Sequence, residues 1–185
     1  MNATSYLSEA TETILQDGPI GLLSDAHGDQ QMAVRAVAML VERGAMSLLY
    51  LGDVCGDGVI DALAGVVGVD GSMIQARMVF GNMDFDVAPM TNYAESIGVG
   101  VDHPCGVYRC GQSVLVTTHG HLQGFEEAAI ERRVGYFLHG HTHLVRDDRI
   151  GSTRICNPGA LHRAQRLTAA VLDCKADSFE VFEVT

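Results

Sequence analysis

Short apolar runs recur along the chain and predict its buried strands. Each run is too short for a typical helix and is bounded by glycine or polar residues. The first half of the chain contains IGLLS (20–24), SLLYL (47–51) and ARMVFG (76–81), and the second half contains GVYRC, SVLVTT and YFL, followed by LVRDDRI, TRICN, LTAAVLDC and SFEVFEV. Because helical patterns separate the early strands, we expect parallel βαβ units first. GVYRC and SVLVTT flank a turn and predict a hairpin, and the last four runs have little helix between them.

Apolar residues at helical spacing predict the helices. Residues 30–44 place their apolar side chains on one face and end at Gly44. A short helix is predicted around 58–65, and a helix over 124–135 has acidic residues early and arginines late, which suits the helix dipole. Residues 1–18 are expected to form a short helix ending at Gly18, or a frayed N-terminal extension. The whole pattern predicts a single domain over 1–185, in which two sheets pack face to face with helices outside.

Composition and net charge limit the kinds of partner that the protein is expected to bind. The chain has 185 residues, of which 47% are hydrophobic, so it can fill one core. A net charge of −11 would repel DNA, RNA and anionic membranes, so we expect neither a nucleic acid polymer nor a membrane as partner. An anionic substrate would then have to be attracted locally, and a bound metal ion is the obvious candidate.

Cysteine usage and the N-terminus indicate the compartment. The five cysteines show no CxxC spacing and no disulfide rhythm, which favours a reducing environment. The first 18 residues lack a basic start and a long apolar stretch, and no run approaches the ~18 apolar residues of a membrane span. We therefore expect a soluble, cytoplasmic protein.

Asp, Asn or His residues next to glycine or another small residue follow five of the predicted strands. In open α/β sheets ligands bind beyond the carboxyl ends of the strands, so these five ends are expected to converge. Each motif alone is a common turn, and their joint occurrence carries the prediction. The five motifs are Asp25-Ala26-His27, Gly52-Asp53, Gly81-Asn82-Met83-Asp84, His119-Gly120-His121 and His139-Gly140-His141-Thr142-His143.

The donors in these motifs predict the kind of site. Carboxylates, an amide oxygen and imidazoles suit Mn²⁺, iron, Zn²⁺, Co²⁺ or Ni²⁺ rather than a soft metal. They are too many for one ion, whereas two ions about 3.5–4 Å apart that share a carboxylate would use them all. The glycines would let the backbone approach closely without a Cβ. His103 and His162 lie outside the motifs and are interpreted as surface or core histidines.

The order of the motifs resembles the calcineurin-like metallophosphoesterase superfamily, whose pattern is D-x-H, G-D, G-N-[HC]-[DE], H and G-H-x-H. The resemblance spans residues 20 to about 160, and THGH (118–121) and NPGA (157–160) look most like the small single-domain phosphodiesterases of the YfcE type. It implies an α/β fold, a four-layer αββα sandwich of two mixed β-sheets flanked by helices.

The same resemblance implies a role for each motif residue. One metal ion would be held by Asp25, His27, Asp53 and His143, and the other by Asp53, Asn82, His119 and His141, so Asp53 would bridge them. Mn²⁺ is the expected metal, with Fe, Zn, Ni or Co as alternatives. Asn82, Asp84 and His121 are the predicted catalytic residues: Asp84 would orient a ligand, and His121 would support a ligand or contact the phosphate. His139 is interpreted as a packing residue or an indirect support of the ligands.

The implied activity is hydrolysis of a small phosphorylated substrate, a phosphodiester, by a hydroxide that bridges the two metals. Two alternatives stay open: a phosphomonoesterase or nucleotide phosphatase of the same fold, and a non-catalytic binding scaffold like the retromer vacuolar-sorting subunit. A homo-oligomer also stays open.

Position 83 departs from the pattern. It holds Met where the superfamily's protein phosphatases carry a His that resembles a general acid, and Met cannot donate a proton. Segments 54–75 and 84–106 are expected to be loops that shape the pocket.

Overall fold

Two six-stranded sheets stack against each other in the computed structural model of the protein, which describes residues 2–185. In chain order the elements are α1 (Ala3–Glu9), β1 (Glu12–Ile14), β2 (Ile20–Leu23), α2 (Gln30–Glu42), β3 (Ser47–Leu51), α3 (Asp57–Asp61), β4 (Gln75–Val79), α4 (Val87–Ser96), β5 (Gly100–Val101), β6 (Cys105–Cys110), β7 (Ser113–Thr118), α5 (Phe125–Glu131), β8 (Tyr136–Leu138), β9 (Arg146–Ile150), β10 (Thr153–Asn157), β11 (Thr168–Asp173) and β12 (Ser178–Glu183).

Both sheets are mixed. The first has the strand order β1-β6-β7-β8-β10-β9, and the second has the order β12-β11-β2-β3-β4-β5. Strands β2 to β5 run parallel to their neighbours in that order, as do β7, β8 and β10, whereas β6/β7, β9/β10 and β11/β12 are antiparallel pairs. The predicted α/β fold of two mixed sheets flanked by helices is confirmed.

The continuous apolar runs of the central strands β2, β3 and β8 arise because both faces of these strands are buried. Alternate residues of β3 show this division: Leu49 and Leu51 join the core between the sheets, whereas Leu48 and Tyr50 face the core under α2. The first sheet is covered on its other side by α1 and α5, whose Leu7, Phe125 and Ala128 pack with Val116 and Phe137. The layers are therefore helix, sheet, sheet, helix.

Helix α2 illustrates how closely the pattern predicted an element. Ala33, Ala36, Val37 and Leu40 are buried on its inner face, and Asp29 caps its first turn through a hydrogen bond from the Met32 N–H at 3.0 Å. Strands β2, β3, β4, β7 and β8 also lie where the apolar runs predicted them.

Four predicted boundaries are wrong. The N-terminal helix ends at Glu9 rather than Gly18, and the residues after it form β1, which pairs in parallel with β6. The helix expected at 58–65 covers Asp57–Asp61, and the helix expected at 124–135 ends at Glu131. The segment 84–106, expected to be a loop, contains α4 and β5. Nowhere in residues 2–185 is a helix long and apolar enough to cross a membrane.

Candidate metal centre

The five strand ends meet at one place, as the motif pattern predicted. Backbone hydrogen bonds join the loops after β2 and β3, from the Asp25 N–H to the Gly52 carbonyl at 3.0 Å and from the His27 N–H to the Asp53 carbonyl at 3.1 Å. The two sheets are joined as well, because the His141 N–H donates to Asp25 Oδ2 at 3.0 Å. The loops that carry the predicted ligands therefore form one connected unit.

An unusual backbone conformation recurs at the predicted ligands. Asp25, His27, Asp53, His141 and His143 all have positive φ, between 46° and 68°. Side chains with a Cβ rarely adopt this region, and such residues cluster at functional sites. The D-x-H and H-x-H motifs therefore share one geometry, in which two residues in the left-handed conformation flank a third and aim their side chains at the centre.

Three glycines of the motifs are required by the ligand side chains. A Cβ at Gly81 would overlap Oδ1 of Asp53, and a Cβ at Gly52 would lie 2.5 Å from Nδ1 of His119. A Cβ at Gly140 would overlap the hydroxyl of Ser24 and lie 2.7 Å from Oδ2 of Asp25. The close backbone approach predicted for these glycines is confirmed.

The first group of donors contains Asp25, His27 and His143. The Nε2 atoms of the two histidines lie 3.3 Å apart, and Nε2 of His143 lies 3.3 Å from Oδ1 of Asp25. Nε2 of His27 also lies 3.5 Å from Oδ2 of Asp53. Ligand atoms of the first three residues fall within 4.8 Å of one another, which is the spacing of donors around one cation.

The second group contains Asp25, Asp53 and His119. His119 is fully buried, and its Nδ1–H donates to the Leu51 carbonyl at 2.7 Å, which leaves the Nε2 lone pair facing the centre. That Nε2 lies 3.3 Å from Oδ1 of Asp53 and 3.2 Å from Oδ1 of Asn82. The predicted ligand Asn82 therefore lies with this group.

His141 is placed beside the second group rather than within it. Its ring centroid lies 5.1 Å from that of His119, in an edge-to-face arrangement. His141 thus lies beside the group of His119, and His143 belongs to the group of Asp25 and His27. The assignment of the two histidines to different ions stays a prediction.

Two carboxylates lie between the groups. Asp53 presents Oδ2 to His27 and Oδ1 to His119, one oxygen to each side. Asp25 presents Oδ1 to both sides, 3.3 Å from Nε2 of His143 and 3.9 Å from Nε2 of His119. Bridging by Asp53 stays a prediction, and Asp25 has comparable access.

A buried oxygen without a partner tests whether a cation fits. Oδ2 of Asp25 accepts hydrogen bonds from the Ser24 hydroxyl and the His141 N–H. Oδ1 is also buried, yet it accepts no hydrogen bond from the described residues 2–185. A buried carboxylate oxygen that accepts no hydrogen bond is costly unless positive charge lies beside it. The oxygen and nitrogen donors present here therefore fit divalent transition-metal ions.

Burial and the neighbouring charged groups shift the pKa values of three histidines at the centre. Burial lowers the pKa of His27 below its usual value, although Asp53 and Asp25 oppose this effect. Burial also lowers the pKa of His121, and the neighbouring His119 and His141 add to the decrease. Burial acts in the same direction on the pKa of His119, but the hydrogen bond to Asp53 and the charge of Asp25 outweigh it and raise that pKa.

Asp84 does not lie among the donor groups. Its carboxylate accepts hydrogen bonds from the backbone N–H groups of Cys55 at 2.8 Å, Gly81 at 2.7 Å and Val54 at 3.3 Å. It therefore ties the loop that carries Asp53 to the loop that carries Asn82, which agrees with an orienting role.

His121 and Met83 lie at the margin of the centre. The ring of His121 is 5.4 Å from that of His119, and its Nδ1 is buried without a hydrogen-bond partner in residues 2–185. Met83 donates its backbone N–H to Oδ1 of Asp53 at 2.9 Å, while its side chain is 42% exposed. Position 83 thus holds a ligand through its backbone and presents its side chain to solvent.

Sequence reasoning missed two neighbours of His27. The ring of His162, interpreted above as a surface or core histidine, lies 5.4 Å from the ring of His27. Sγ of Cys55 lies 3.8 Å from its Nδ1. Sγ thus lies beside Nδ1, whereas Nε2 is the nitrogen of His27 that faces the donor atoms. Burial raises the pKa of Cys55 to about 12. For His162, which is far along the chain, the sequence carried no signal.

His139 and Asn157 support the ligand loop from behind. The buried ring of His139 packs beside Phe137, with centroids 5.8 Å apart, and its Nδ1 lies 3.0 Å from the Gly140 carbonyl. Asn157 Nδ2 donates to the same carbonyl at 2.8 Å and to Oγ1 of Thr142 at 3.1 Å. His139 therefore packs behind the loop that carries His141 and His143, and the two roles considered for it, packing and indirect support of the ligands, both stay open.

Similar proteins are found both by sequence and by fold. Residues 19–177 match the calcineurin-like phosphoesterase superfamily domain. Phosphodiesterase YfcE of Escherichia coli K12 is 28% identical over 147 residues, which cover 75% of this chain and 76% of the relative. A solved archaeal phosphodiesterase superposes with a TM-score of 0.79 at 20% identity, covering 90% and 99% of the two chains.

A further solved structure shares the fold at lower sequence identity. Vps29 from Entamoeba histolytica, solved as a complex with Zn²⁺, superposes with a TM-score of 0.56 at 16% identity, covering 91% of this chain and 100% of that one. At this identity the likeness extends to the fold alone. The motif order, the two donor groups and the match over 19–177 together assign this chain to the calcineurin-like phosphoesterase superfamily.

Proposed function

We propose that this protein is a dimetal-dependent phosphodiesterase that hydrolyses small phosphodiesters. One observation carries the proposal: the two oxygens of Asp53 face opposite donor groups, with His27 Nε2 at 3.5 Å on one side and His119 Nε2 at 3.3 Å on the other. A carboxylate whose two oxygens face opposite donor groups is suited to bridging two neighbouring cations. The similarity to a named phosphodiesterase supports the same activity.

The chain supplies ligands for two metal ions. Asp25, His27, Asp53 and His143 would hold one ion, and Asp53, Asn82, His119 and His141 would hold the other. When bound, the two ions would acidify a water molecule and neutralise negative charge on the phosphoryl oxygens. The donor set suits Mn²⁺, which we propose as the metal, and also iron, Zn²⁺, Co²⁺ or Ni²⁺.

Other residues of the site would orient these metal ligands or contact the substrate. The bond from His119 Nδ1 to the Leu51 carbonyl fixes the ring, and Asp84 fixes the two loops that carry Asp53 and Asn82. Nδ1 of His121 has no hydrogen-bond partner in residues 2–185 and the ring lies beside His119, which supports a role for His121 in donating to a phosphoryl oxygen or to an ester oxygen. A surface of charge −11 would disfavour long polyanions and leaves small diesters as the substrates.

The experiment is hydrolysis of bis-p-nitrophenyl phosphate and p-nitrophenyl phosphate by protein stripped with a chelator and reloaded with Mn²⁺. We expect diester hydrolysis that depends on metal and falls at least ~10²-fold in Asp53→Asn, because the variant removes a charge shared by both ions. Asp17→Asn, the same change at an exposed carboxylate before β2, should keep wild-type activity.

The outcomes separate the alternatives. Faster hydrolysis of the monoester than of the diester would replace the proposal with a phosphomonoesterase. Metal binding without turnover of either substrate would replace it with a non-catalytic scaffold.

A further inference from the structure

A groove adjoins the metal centre on the side of the loops after β3 and β4. Its volume is about 610 Å³, and we call it the Phe85 groove. Its apolar lining consists of Cys55, Met83, Phe85, Pro89, Met90 and Tyr93. Helix α4, which the sequence pattern did not predict, supplies the last three of these residues. One wall of the groove is thus formed by an element separate from the ligand motifs.

The groove and the metal centre share the same two loops. Met83 lines the groove with its side chain while its N–H holds Oδ1 of Asp53 at 2.9 Å. Cys55 lines the groove and lies 3.8 Å from His27 through Sγ and Nδ1. A phosphodiester whose phosphorus lies at the metal centre would therefore extend one of its two ester groups along this groove.

The exposure of the lining is unusual for apolar side chains. Phe85 is 79% exposed and Met83 is 42% exposed, although both are next to a buried polar centre. Large apolar side chains that border a polar centre typically bind the apolar part of a ligand. An aromatic ring and a flexible thioether adapt to alkyl groups of varied shape.

The charges in the groove are all of one sign. Its charged lining residues are Asp57, Asp84 and Asp86, and neither lysine nor arginine lines it. Asp84 is satisfied by backbone N–H groups, whereas Asp86 precedes α4 without capping it through its side chain. Asp57 and Asp86 are both exposed. A second negative charge on the substrate would be repelled here, whereas a neutral or cationic group would not.

We propose that the Phe85 groove binds an apolar ester group of the phosphodiester and excludes an ester group that carries its own negative charge. The inference rests on the proposed phosphodiesterase function and specifies its substrate class. It selects diesters of neutral or cationic apolar alcohols over diesters that bear a further phosphate or carboxylate.

Symmetric dialkyl phosphates test this selection, because the same group enters the groove whichever way the molecule binds. The probes are dimethyl phosphate, bis(3,3-dimethylbutyl) phosphate and bis(3-carboxy-3-methylbutyl) phosphate, as competitive inhibitors of bis-p-nitrophenyl phosphate hydrolysis. We expect the dimethylbutyl diester to inhibit with a Ki at least ~10-fold below that of dimethyl phosphate, since it buries several methylene equivalents. The carboxylated diester, of similar size, should bind at least ~10-fold more weakly than the dimethylbutyl diester.

Variants assign the effect to the groove. Phe85→Ala should reduce the Ki ratio of dimethyl to dimethylbutyl phosphate several-fold, whereas Ile150→Ala, at an exposed apolar residue of β9, should leave the ratio unchanged. Asp57→Asn/Asp86→Asn should weaken the discrimination against the carboxylated diester. Glu131→Gln/Glu180→Gln makes the same change in net charge at exposed residues outside the groove and should not weaken it. Equal ratios in wild type and Phe85→Ala would overturn the proposal.

A binding measurement separates failure of this inference from failure of the proposed function. In protein labelled with ¹³C at the methionine methyls, 3,3-dimethylbutan-1-ol should shift the signals of Met83 and Met90 first, with Met83→Leu assigning one of them. This result would support the groove even if no diester were hydrolysed. Absence of shifts at both methionines, in a protein that does hydrolyse diesters, would overturn the groove and leave the phosphodiesterase intact.

Discussion

Asp25 and His143 come together from opposite sheets, with Oδ1 of Asp25 3.3 Å from Nε2 of His143. They are 118 residues apart in sequence, and Oδ1 accepts no hydrogen bond within the described part of the chain. A buried anion facing a ring nitrogen destabilises the metal-free protein and binds a cation in the loaded one. One contact thus connects stability to metal binding.

This relationship predicts opposite effects of Asp25→Asn with and without metal. In a chelator the variant should melt at a higher temperature than wild type, because the amide removes an uncompensated charge and can donate a hydrogen bond to His143. With Mn²⁺ it should lose the stabilisation that wild type gains, about 2.7 kcal/mol when free metal is 100 times Kd. Thermal unfolding of both proteins under both conditions measures the effects. Glu180→Gln is the control, and a metal-free Asp25→Asn that melts below wild type would contradict the prediction.

Gly140→Ala should damage the centre without adding or removing a charge. The new Cβ would overlap the Ser24 hydroxyl and crowd Asp25 Oδ2, so the backbone of the H-x-H loop must shift. We expect a stability loss of about 1–3 kcal/mol, as for other overpacked sites, and weaker metal binding. Denaturant unfolding and Mn²⁺ titration measure both quantities. Gly68→Ala, where the nearest atom is Asp70 Oδ1 at 3.1 Å, is the control, and equal metal affinity in the two variants would refute the close-approach argument.

His141→Ala and His143→Ala should impair different ions. His143 belongs to the group with Asp25 and His27, whereas the ring of His141 lies 5.1 Å from that of His119. Each variant should therefore retain one ion at near wild-type affinity, and His141→Ala/His143→Ala should retain neither. Isothermal titration with Mn²⁺ gives the stoichiometries. If each single variant lost both ions equally, the assignment of the two histidines to different ions would be wrong.

Met83→His tests whether position 83 controls protonation of the leaving group. Alkoxide leaving groups need a proton as the P–O bond breaks, p-nitrophenolate does not, and Met cannot supply one. The variant should raise kcat/KM for alkyl esters more than for p-nitrophenyl esters, while Met83→Leu should change neither selectively. The measurement is kcat/KM over diesters of graded leaving-group pKa. Parallel plots for wild type and Met83→His would contradict the claim.

The residues of the site were predictable because parallel strands in one sheet end at the same edge. Asp25, Asp53 and Asn82 follow three adjacent strands of one sheet, and the histidines of the last two motifs follow two adjacent strands of the other sheet. Each motif therefore needed only its local pattern to be found. Which carboxylate has access to both donor groups depends on how the sheets stack, and local pattern carries no such information.

The missed elements have weak local signals. Helix α4 contains Pro89 and several polar residues, and only Met90 and Ala94 are buried, so its apolar periodicity is faint. Strand β1 has three residues and exists because it pairs with β6, almost a hundred residues later. His162 reaches His27 through the loop between β10 and β11, a contact that only the tertiary fold creates.

The most direct test of the account is an anomalous-scattering map from crystals of the Mn²⁺-loaded protein. Two peaks about 3.5–4 Å apart are expected on either side of Asp53, one near His27 and His143 and the other near His119, Asn82 and His141. A single peak, or two peaks with His141 and His143 bound to the same ion, would contradict it.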